Sequence, residues 1–293
     1  MRKGIIITNA YSTLPSSLNQ SLRLKDELAA LGVAADICPN RTFPVEISGD
    51  GEAASRLAGY DFCIYLDKDK YVSVLLEKTG MRLFNSAEAI ATCDDKMLTH
   101  IALSGHGIQM PKTLPGLLCY DPQEPVQEST LAHIEQVLGY PVIIKASYGS
   151  LGKDVRKADN RQELYALAEQ YKLVPHLFQE CIQECAGRDI RVIVIGGKAV
   201  AAMQRESRTD FRSNIELGGK GSVYELDPDL SLLCGKVSGI LGLDYCGIDV
   251  LPSSRGYLVC EVNSNAFFGG IEAVTGTNIA RLYAEYIVRK VYG

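Results

Sequence analysis

The chain has 293 residues, which at ~100–200 residues per domain predicts two or three lobes with room for a sizeable core. Hydrophobic residues make up 46% and charged residues 22%, near the globular average, so neither a disordered chain nor a fibrous repeat fits. A formal net charge of -5 supplies no global cationic field for a polyphosphate backbone, which sets nucleic acid aside as a partner and leaves only a local cationic cleft in play.

The first residues, MRKGIIITNAYS, place a basic pair before four apolar residues, fewer than the ~7–15 of a signal peptide's apolar region. No run approaches the ~20 apolar residues of a membrane span, so cytoplasm is the expected compartment and a membrane is not an expected partner. Nine cysteines form an odd set without a CxxC pair; reduced thiols acting as small apolar fillers are expected.

Gly4 to Thr8 reads as a short apolar strand, followed by the polar loop NAYSTLPSS. A helix carrying Leu18, Leu22, Leu28 and Leu31 then stops at Gly32. Further strands are expected at Val33 to Cys38, Phe62 to Leu66 and Met81 to Phe84, with a helix over Val72 to Lys78. Alternation of strands and helices predicts a parallel α/β sheet over residues 1–90. The first strand leads into no GxGxxG, so this lobe is expected to serve as a substrate platform or scaffold rather than as a dinucleotide site.

From Asn85 two short helices follow, the second opened by Asp94, Asp95 and Lys96. The segment MPKTLPGLLCYDPQEP reads as connection, since its prolines exclude helix interiors. A helix over Leu131 to Leu138, the strand PVIIK, a glycine loop, the strand VRK, a helix over Arg161 to Tyr171 and the strand LFQECI complete this region. Two long strands, DIRVIVIGG and KAVAAMQRES, meet at Gly196-Gly197, a tight hairpin signal. The loop TDFRSNIELGGKG, a helix over Asp229 to Leu241, a second hairpin YCGIDVLPSSRGYLVCEVNSN and a helix over Asn278 to Val291 end the chain.

Chemistry concentrates in the second hairpin. Side chains alternate with period two, so a connection of an odd number of residues puts Asp249 on the face of Glu261 and Asn263. Two carboxylates and an amide oxygen among apolar neighbours call for a cation, and all-oxygen ligation suits magnesium; a half-exposed hairpin whose acids meet solvent or an arginine is the alternative. Lys145 precedes ASYGSLGKDV, where Gly149 and Gly152 let backbone N–H groups approach phosphates, although an exposed turn reads the same way and GxxxxGK[ST] is absent. Lys96 is by itself an ordinary lysine beside a capping aspartate. Arg188, Asp189, Arg191, Arg205, Arg208 and Arg212 fit either a site or a surface salt-bridge network. The four histidines and nine cysteines lack a local context for Cys–His hydrolysis, so evidence for a protein nucleophile is poor.

In order, the blocks CDDKMLTHIALSGHGIQMPKT, YPVIIKASYGSLGKDV, FQECIQECAGRDIRVIVIGGKAVAAMQRES, DFRSNIELGGKGS, GLDYCGIDVL and LVCEVNSNAFFGGIEAVTG resemble the ATP-grasp superfamily. Within it they resemble the RimK-type ligases that join an amino acid to a carboxylate. The resemblance covers roughly residues 86–290 and implies a mixed α/β and α+β chain: an ATP-grasp core preceded by a Rossmann-like lobe, divided at 1–90, 91–186 and 187–293. It implies that ATP lies between the last two parts, with Lys96 and Lys145 on its phosphates and the glycine loop with Gly149 and Gly152 over them. Gln179 to Ile182 would present the adenine edge, with Glu180 and the Ile182 backbone as partners, and Glu184 would hold the ribose; Asp189 counts among the nucleotide-side residues. Asp249, Glu261 and Asn263 would hold Mg2+, with Mn2+ as an alternative. Arg191, Arg205, Arg212 and Asn214 would face the transferred phosphate and the substrate carboxylate.

The implied reaction consumes an amino acid, such as glutamate, and a small-molecule, peptide or protein carboxylate. Oligomeric state is left open by the sequence. One departure is the run G-K-D-V where family phosphate loops commonly end GxGV. A D-alanyl-D-alanine type of dipeptide ligase and a non-catalytic ATP-binding regulatory protein are the competing readings; the DFRSN segment favours the RimK type.

Overall fold

A computed structural model describes residues 2–150, 152–213 and 218–293. Its first sheet forms from β1 (Lys3–Thr8), followed by α1 (Pro15–Ala30), β2 (Ala34–Pro39), the short antiparallel pair β3 (Val45–Ile47) and β4 (Ala53–Ser55), β5 (Phe62–Leu66), α2 (Lys70–Lys78) and β6 (Leu83–Phe84). The strands β2-β1-β5-β6 are parallel in that order. The chain leaves β1 toward one side to make β2, then crosses to the other side for β5. The loops after β1 and β5 therefore diverge at the carboxyl edge of the sheet, where open α/β sheets leave a crevice.

α3 (Ala87–Asp94), α4 (Lys96–Leu103), β7 (Thr113–Pro115), α5 (Glu128–Leu138), β8 (Val142–Ala146), β9 (Val155–Ala158), α6 (Arg161–Tyr171) and β10 (His176–Glu180) come next. They contain an antiparallel sheet in the order β7-β10-β8-β9. Leu131, Ile144, Leu164 and Phe178 belong to a core confined to this sheet and its two helices. The last sheet, β13-β12-β11-β14-β15, is antiparallel and built from β11 (Arg188–Ile195), β12 (Lys198–Glu206), β13 (Lys220–Val223), β14 (Tyr245–Ser253) and β15 (Gly256–Asn263). α7 (Pro228–Ile240), α8 (Gly269–Thr275) and α9 (Ile279–Tyr292) cover it. Gly196 and Gly197 both take positive φ, 56° and 78°, the backbone of the two-residue turn that the sequence called for.

Packing joins the first and last sheets. Ile6, Leu24, Leu28, Phe62 and Phe84 share one core with Ile193, Tyr245, Phe268, Tyr283 and Ile287. Ala89, Cys93, Leu103 and Ile108, from α3, α4 and the turn beyond, share another with Ile190, Val192, Ile248 and Val262. Ile5, Ile7, Cys63 and Leu76 form a further core on the other face of the first sheet, so among the described residues the β7-β10-β8-β9 sheet is the part that shares no core with the rest, mounted on a larger body.

Two readings need correction. Leu18 and Leu22 are 52% and 54% exposed, and α1 buries Ser17, Gln20, Ser21, Leu24 and Leu28 instead. The stripe at 17, 20/21, 24 and 28 carries fewer leucines but matches the helical period that faces α9. The connecting segment also holds β7, and the loop before α7 ends in β13. Both are edge strands, where proline and exposure are tolerated and the apolar signal is weak. All nine cysteines are free, and no helix among the described residues is long and apolar enough to cross a membrane.

Candidate active site

The β14–β15 turn holds two residues, Ser254 and Arg255, with Ser253 opposite Gly256. That connection is even-numbered, contrary to the odd count expected. The extra residue sits inside the ribbon instead. Val250 pairs with Val259 whereas Asp249 pairs with Glu261, leaving Cys260 in a bulge. The bulge shifts parity by one residue and brings Asp249 directly opposite Glu261, with Gly247 opposite Asn263. Across the next two strands Arg191 lies opposite Asp249 and Asp189 opposite Arg205. One sheet face thus carries Arg205, Asp189, Arg191, Asp249, Glu261 and Asn263.

The charges on this face are tightly interlocked. Arg191 donates from Nε and Nη2 to the two Asp249 oxygens, each at 2.6 Å. Arg205 donates to Asp189 at 2.7 and 2.5 Å and reaches Asp249 Oδ2 at 3.0 Å. Asp249 is 4% exposed. Burial pushes its carboxyl up, but Arg191 and Arg205 outweigh burial and hold it at about 2. Burial works against the Arg205 charge, and Asp249 and Asp189 more than offset that, so its pKa is raised.

A cation other than these arginines still has a place. A carboxylate offers about four lone-pair sites, and the arginines take three on Asp249, leaving one on Oδ1. Glu261 has only Lys96 as an ion partner among the described residues, at 4.0 Å. Asn263 Nδ2 is buried without a partner; turning the amide about its last torsion puts an oxygen at that point, since the two ends are assigned rather than seen. Two acids and an amide oxygen are a hard, all-oxygen donor set, and these residues fit Mg2+.

Lys96 and Lys145 approach the same face from the smaller sheet's side. Asp95 caps α4 by accepting from Met97 and Leu98 N–H, which fixes Lys96 as the first helical residue. The Lys96 ammonium donates to the Gly149 carbonyl at 3.0 Å. Burial lowers its pKa, opposed by Glu261. Lys145, 6% exposed on β8, reaches Cys260 Sγ at 3.5 Å. Arg212 donates to the Gly152 carbonyl at 2.5 Å while its other nitrogens grip Asp210. Gly149 takes φ 130°, which strains other residue types. Two cations expected on phosphate and substrate thus hold carbonyls of the glycine loop here. Asn214 lies outside the described residues.

Two clefts meet at this face. The first, about 760 Å³, is walled by apolar Ile143, Val155, Ile182 and Leu251 and lined by Lys145, Glu180, Asp189 and Arg212. Glu180 accepts from Lys112 N–H and Arg255, both at 2.7 Å; Glu184 accepts from Ser254 N–H and hydroxyl at 3.0 Å. Gln179 is buried and hydrogen-bonded to Thr113 and His100. The second cleft, about 1480 Å³, lies between the first and last sheets and is lined by Asn9, Tyr11, Asp67 and Lys68 from the one and Arg191 and Asn263 from the other. Gly152, Arg205 and Glu261 line both.

The sequence reading missed His100, Arg255, Asp67 and Lys68. For His100, burial first and then Lys145 lower the pKa to about 4, so at neutral pH it is an uncharged prop for Gln179. Asp67 and Lys68 had one legible signal, their place immediately after a parallel strand.

The RimK-like ATP-grasp domain model matches residues 93–287, which is well over half the chain. The chain belongs to the RimK-like ATP-grasp family. This RimK-like chain is 37% identical over 227 residues to human N-acetylaspartylglutamate synthase A, covering 75% of the chain and 56% of that protein. It is 37% identical over 216 residues to probable alpha-L-glutamate ligase 2 of Pseudoalteromonas atlantica, covering 73% and 69%. It spans little more than half the length of the animal synthases it matches. A structure of the ATP-grasp ligase PsnB with a phosphomimetic precursor variant, Mg and ADP superposes at a TM-score of 0.70 and 18% identity, covering 99% of each chain. This likeness shows the ATP-grasp fold.

Proposed function

We propose that this chain is an ATP-dependent carboxylate–amine ligase that adds an amino acid such as glutamate to the carboxylate of a small acid, peptide or protein, in the cytoplasm. One observation carries the reading: Glu261 and Arg205 stand on the wall shared by a slot suited to a nucleotide and an open cleft suited to a second substrate. A carboxylate is a poor acyl donor because oxide would have to leave. Its oxygen attacks the γ-phosphorus of ATP, the bond to the bridging oxygen breaks, and ADP departs. The amine nitrogen then attacks the acyl carbon, phosphate leaves with the C–O electron pair, and the ammonium proton passes to water. No protein nucleophile is needed.

In this reading Ile143, Val155, Ile182 and Leu251 sandwich the adenine, with Gln179 bracing the strand end and Glu180 and the Ile182 backbone at its polar edge. Glu184 takes the ribose, and Lys96 and Lys145 take the phosphates beneath the loop of Gly149 and Gly152. Asp249, Glu261 and Asn263 would hold Mg2+, or Mn2+, which supplies charge neutralisation between two anions when bound. Asp189 keeps Arg205 aimed at the shared wall. Arg191, Arg205, Arg212 and, outside the described residues, Asn214 face the carboxylate and the transferring phosphoryl group. The small sheet with its own core, residues 114–178, is suited to close over the slot and keep water from the acyl phosphate.

The test is an ADP-release screen over pairs of carboxylic acids and amino acids, with mass spectrometry of the products. ADP release that requires both partners, and a product joined by loss of one water, is expected; a chain that binds ATP and releases no ADP with any pair overturns the proposal. Lys145→Ala is expected to weaken binding of a non-hydrolysable ATP analogue at least about tenfold by calorimetry, the worth of one charge-assisted hydrogen bond. Arg212→Ala is expected to lower the rate of amide formation ~100-fold with little change in nucleotide affinity; an unchanged product rate removes it from the site.

A further inference from the structure

Asp67 is the least explained charge bordering the open cleft. It follows β5 at the point where the first sheet's connections diverge, and it lines the same cleft as Arg191 and Arg205. It is 6% exposed. Its oxygens accept from Asn9 Nδ2 at 2.9 Å, Asn40 Nδ2 at 2.5 Å and its neighbour's backbone, Lys68 N–H, at 2.7 Å. All three donors are neutral. The nearby cation, Lys68, turns its ammonium to Asp94 at 2.8 Å and Ser150 at 3.2 Å. Among the described residues, then, a nearly buried carboxylate is shaped by two amides and has no ion partner. One lone-pair site on Oδ2 remains open.

Three neutral donors offset part of the cost of burying this carboxylate, and a cationic ligand would offset more of it. Asn9 also accepts from Tyr11 and Ser12 N–H, both at 2.9 Å, so the loop that borders the cleft is organised around the same amide that organises Asp67. A substrate spanning the cleft would meet guanidinium groups at one wall and this carboxylate at the other. We infer that Asp67 receives a free ammonium on the acid that is activated, so that the carboxylate substrate is an amino acid or a short peptide with an unblocked amine. The inference rests on the proposed ligase reading and narrows its substrate class. The ammonium end anchors at Asp67, its carboxylate points to Arg191 and Arg205, and no covalent step involves Asp67.

The purely structural alternative is that Asp67 ties the loops after β1, β2 and β5 together. The two differ in selectivity. The experiment measures binding of matched acids, a dipeptide and its N-acetyl counterpart, to the whole chain by calorimetry with Mg2+ and a non-hydrolysable ATP analogue; ADP release with ATP is followed in parallel. Wild type is expected to bind the free amine at least about tenfold tighter than the acetylated partner across the panel. Asp67→Asn should remove that preference while leaving the affinity for acetylated acids within about twofold. Equal wild-type affinity for the two forms overturns the inference without any variant being needed, as does an Asp67→Asn variant that weakens both forms alike. Absence of ADP release, by contrast, sinks the ligase reading alone, because the binding preference is read without turnover.

Discussion

Glu261→Gln is expected to cut ADP formation by about 1,000-fold or more while moving the melting temperature little. The two effects separate because Glu261 has different stakes in stability and in the site. Its side chain is 27% exposed, and its ion partner Lys96 stands 4.0 Å away, beyond hydrogen-bonding reach, so the pair contributes well under ~1 kcal/mol to folding. Glutamine preserves the length, the polarity and the place in the bulged ribbon. What it removes is one full negative charge from the wall shared by both clefts, where a cation between two anions is worth several kcal/mol of transition-state stabilisation. A coupled ADP assay and a thermal melt read both quantities on one preparation. A rival account, in which Glu261 merely neutralises Lys96, predicts that Glu261→Gln binds Mg2+ as tightly as wild type in the presence of a non-hydrolysable ATP analogue, read by calorimetry. Unchanged Mg2+ affinity, or full ADP release in the variant, would remove Glu261 from the catalytic set.

Legibility in the sequence followed the strength of the local signal. Long apolar strands such as β11 and β12, the Gly196-Gly197 turn and helices α6, α7 and α9 stand close to where their patterns put them, because burial on one or both faces dictates residue type along the element. Strands of three or four residues at sheet edges, β3, β4, β7 and β13, have too few buried positions to write a pattern. The shared face of Asp249 and Glu261 was foreseen, but for a wrong reason: an odd turn was expected, and a bulge at Cys260 does the work. A sequence of alternating side chains cannot distinguish the two, since each inserts one residue. The interlocking of Asp249 with two arginines was likewise invisible, because it depends on the registers of three strands rather than on spacing within one. Asp67 left the faintest trace of all; only the order of strands brings the end of β5 to the open cleft.

Those interlocked arginines make Asp249→Asn a different experiment from its partner across the ribbon. In the structure, Asp249 neutralises Arg191 and shares Arg205 with Asp189, so an amide here leaves guanidinium charge inadequately paired in a nearly dry setting. A loss of about 3 kcal/mol of stability is expected along with loss of turnover. Its pH dependence has a definite sign. The folded pKa of about 2 lies below the ordinary 3.8, so the ionised carboxylate stabilises the fold fully above pH ~4 and that contribution disappears as pH falls toward 2. Urea unfolding of metal-free protein in chelator, measured from pH 7 down to 2, should therefore show a gap between wild type and Asp249→Asn that is constant above pH ~4 and closes below it. Adding Arg191→Met to the variant should recover much of the stability, because it removes the stranded charge, while turnover stays absent. A gap that persists unchanged to pH 2, or a double variant no more stable than the single one, would mean that ion pairing on this face is not what Asp249 contributes to the fold.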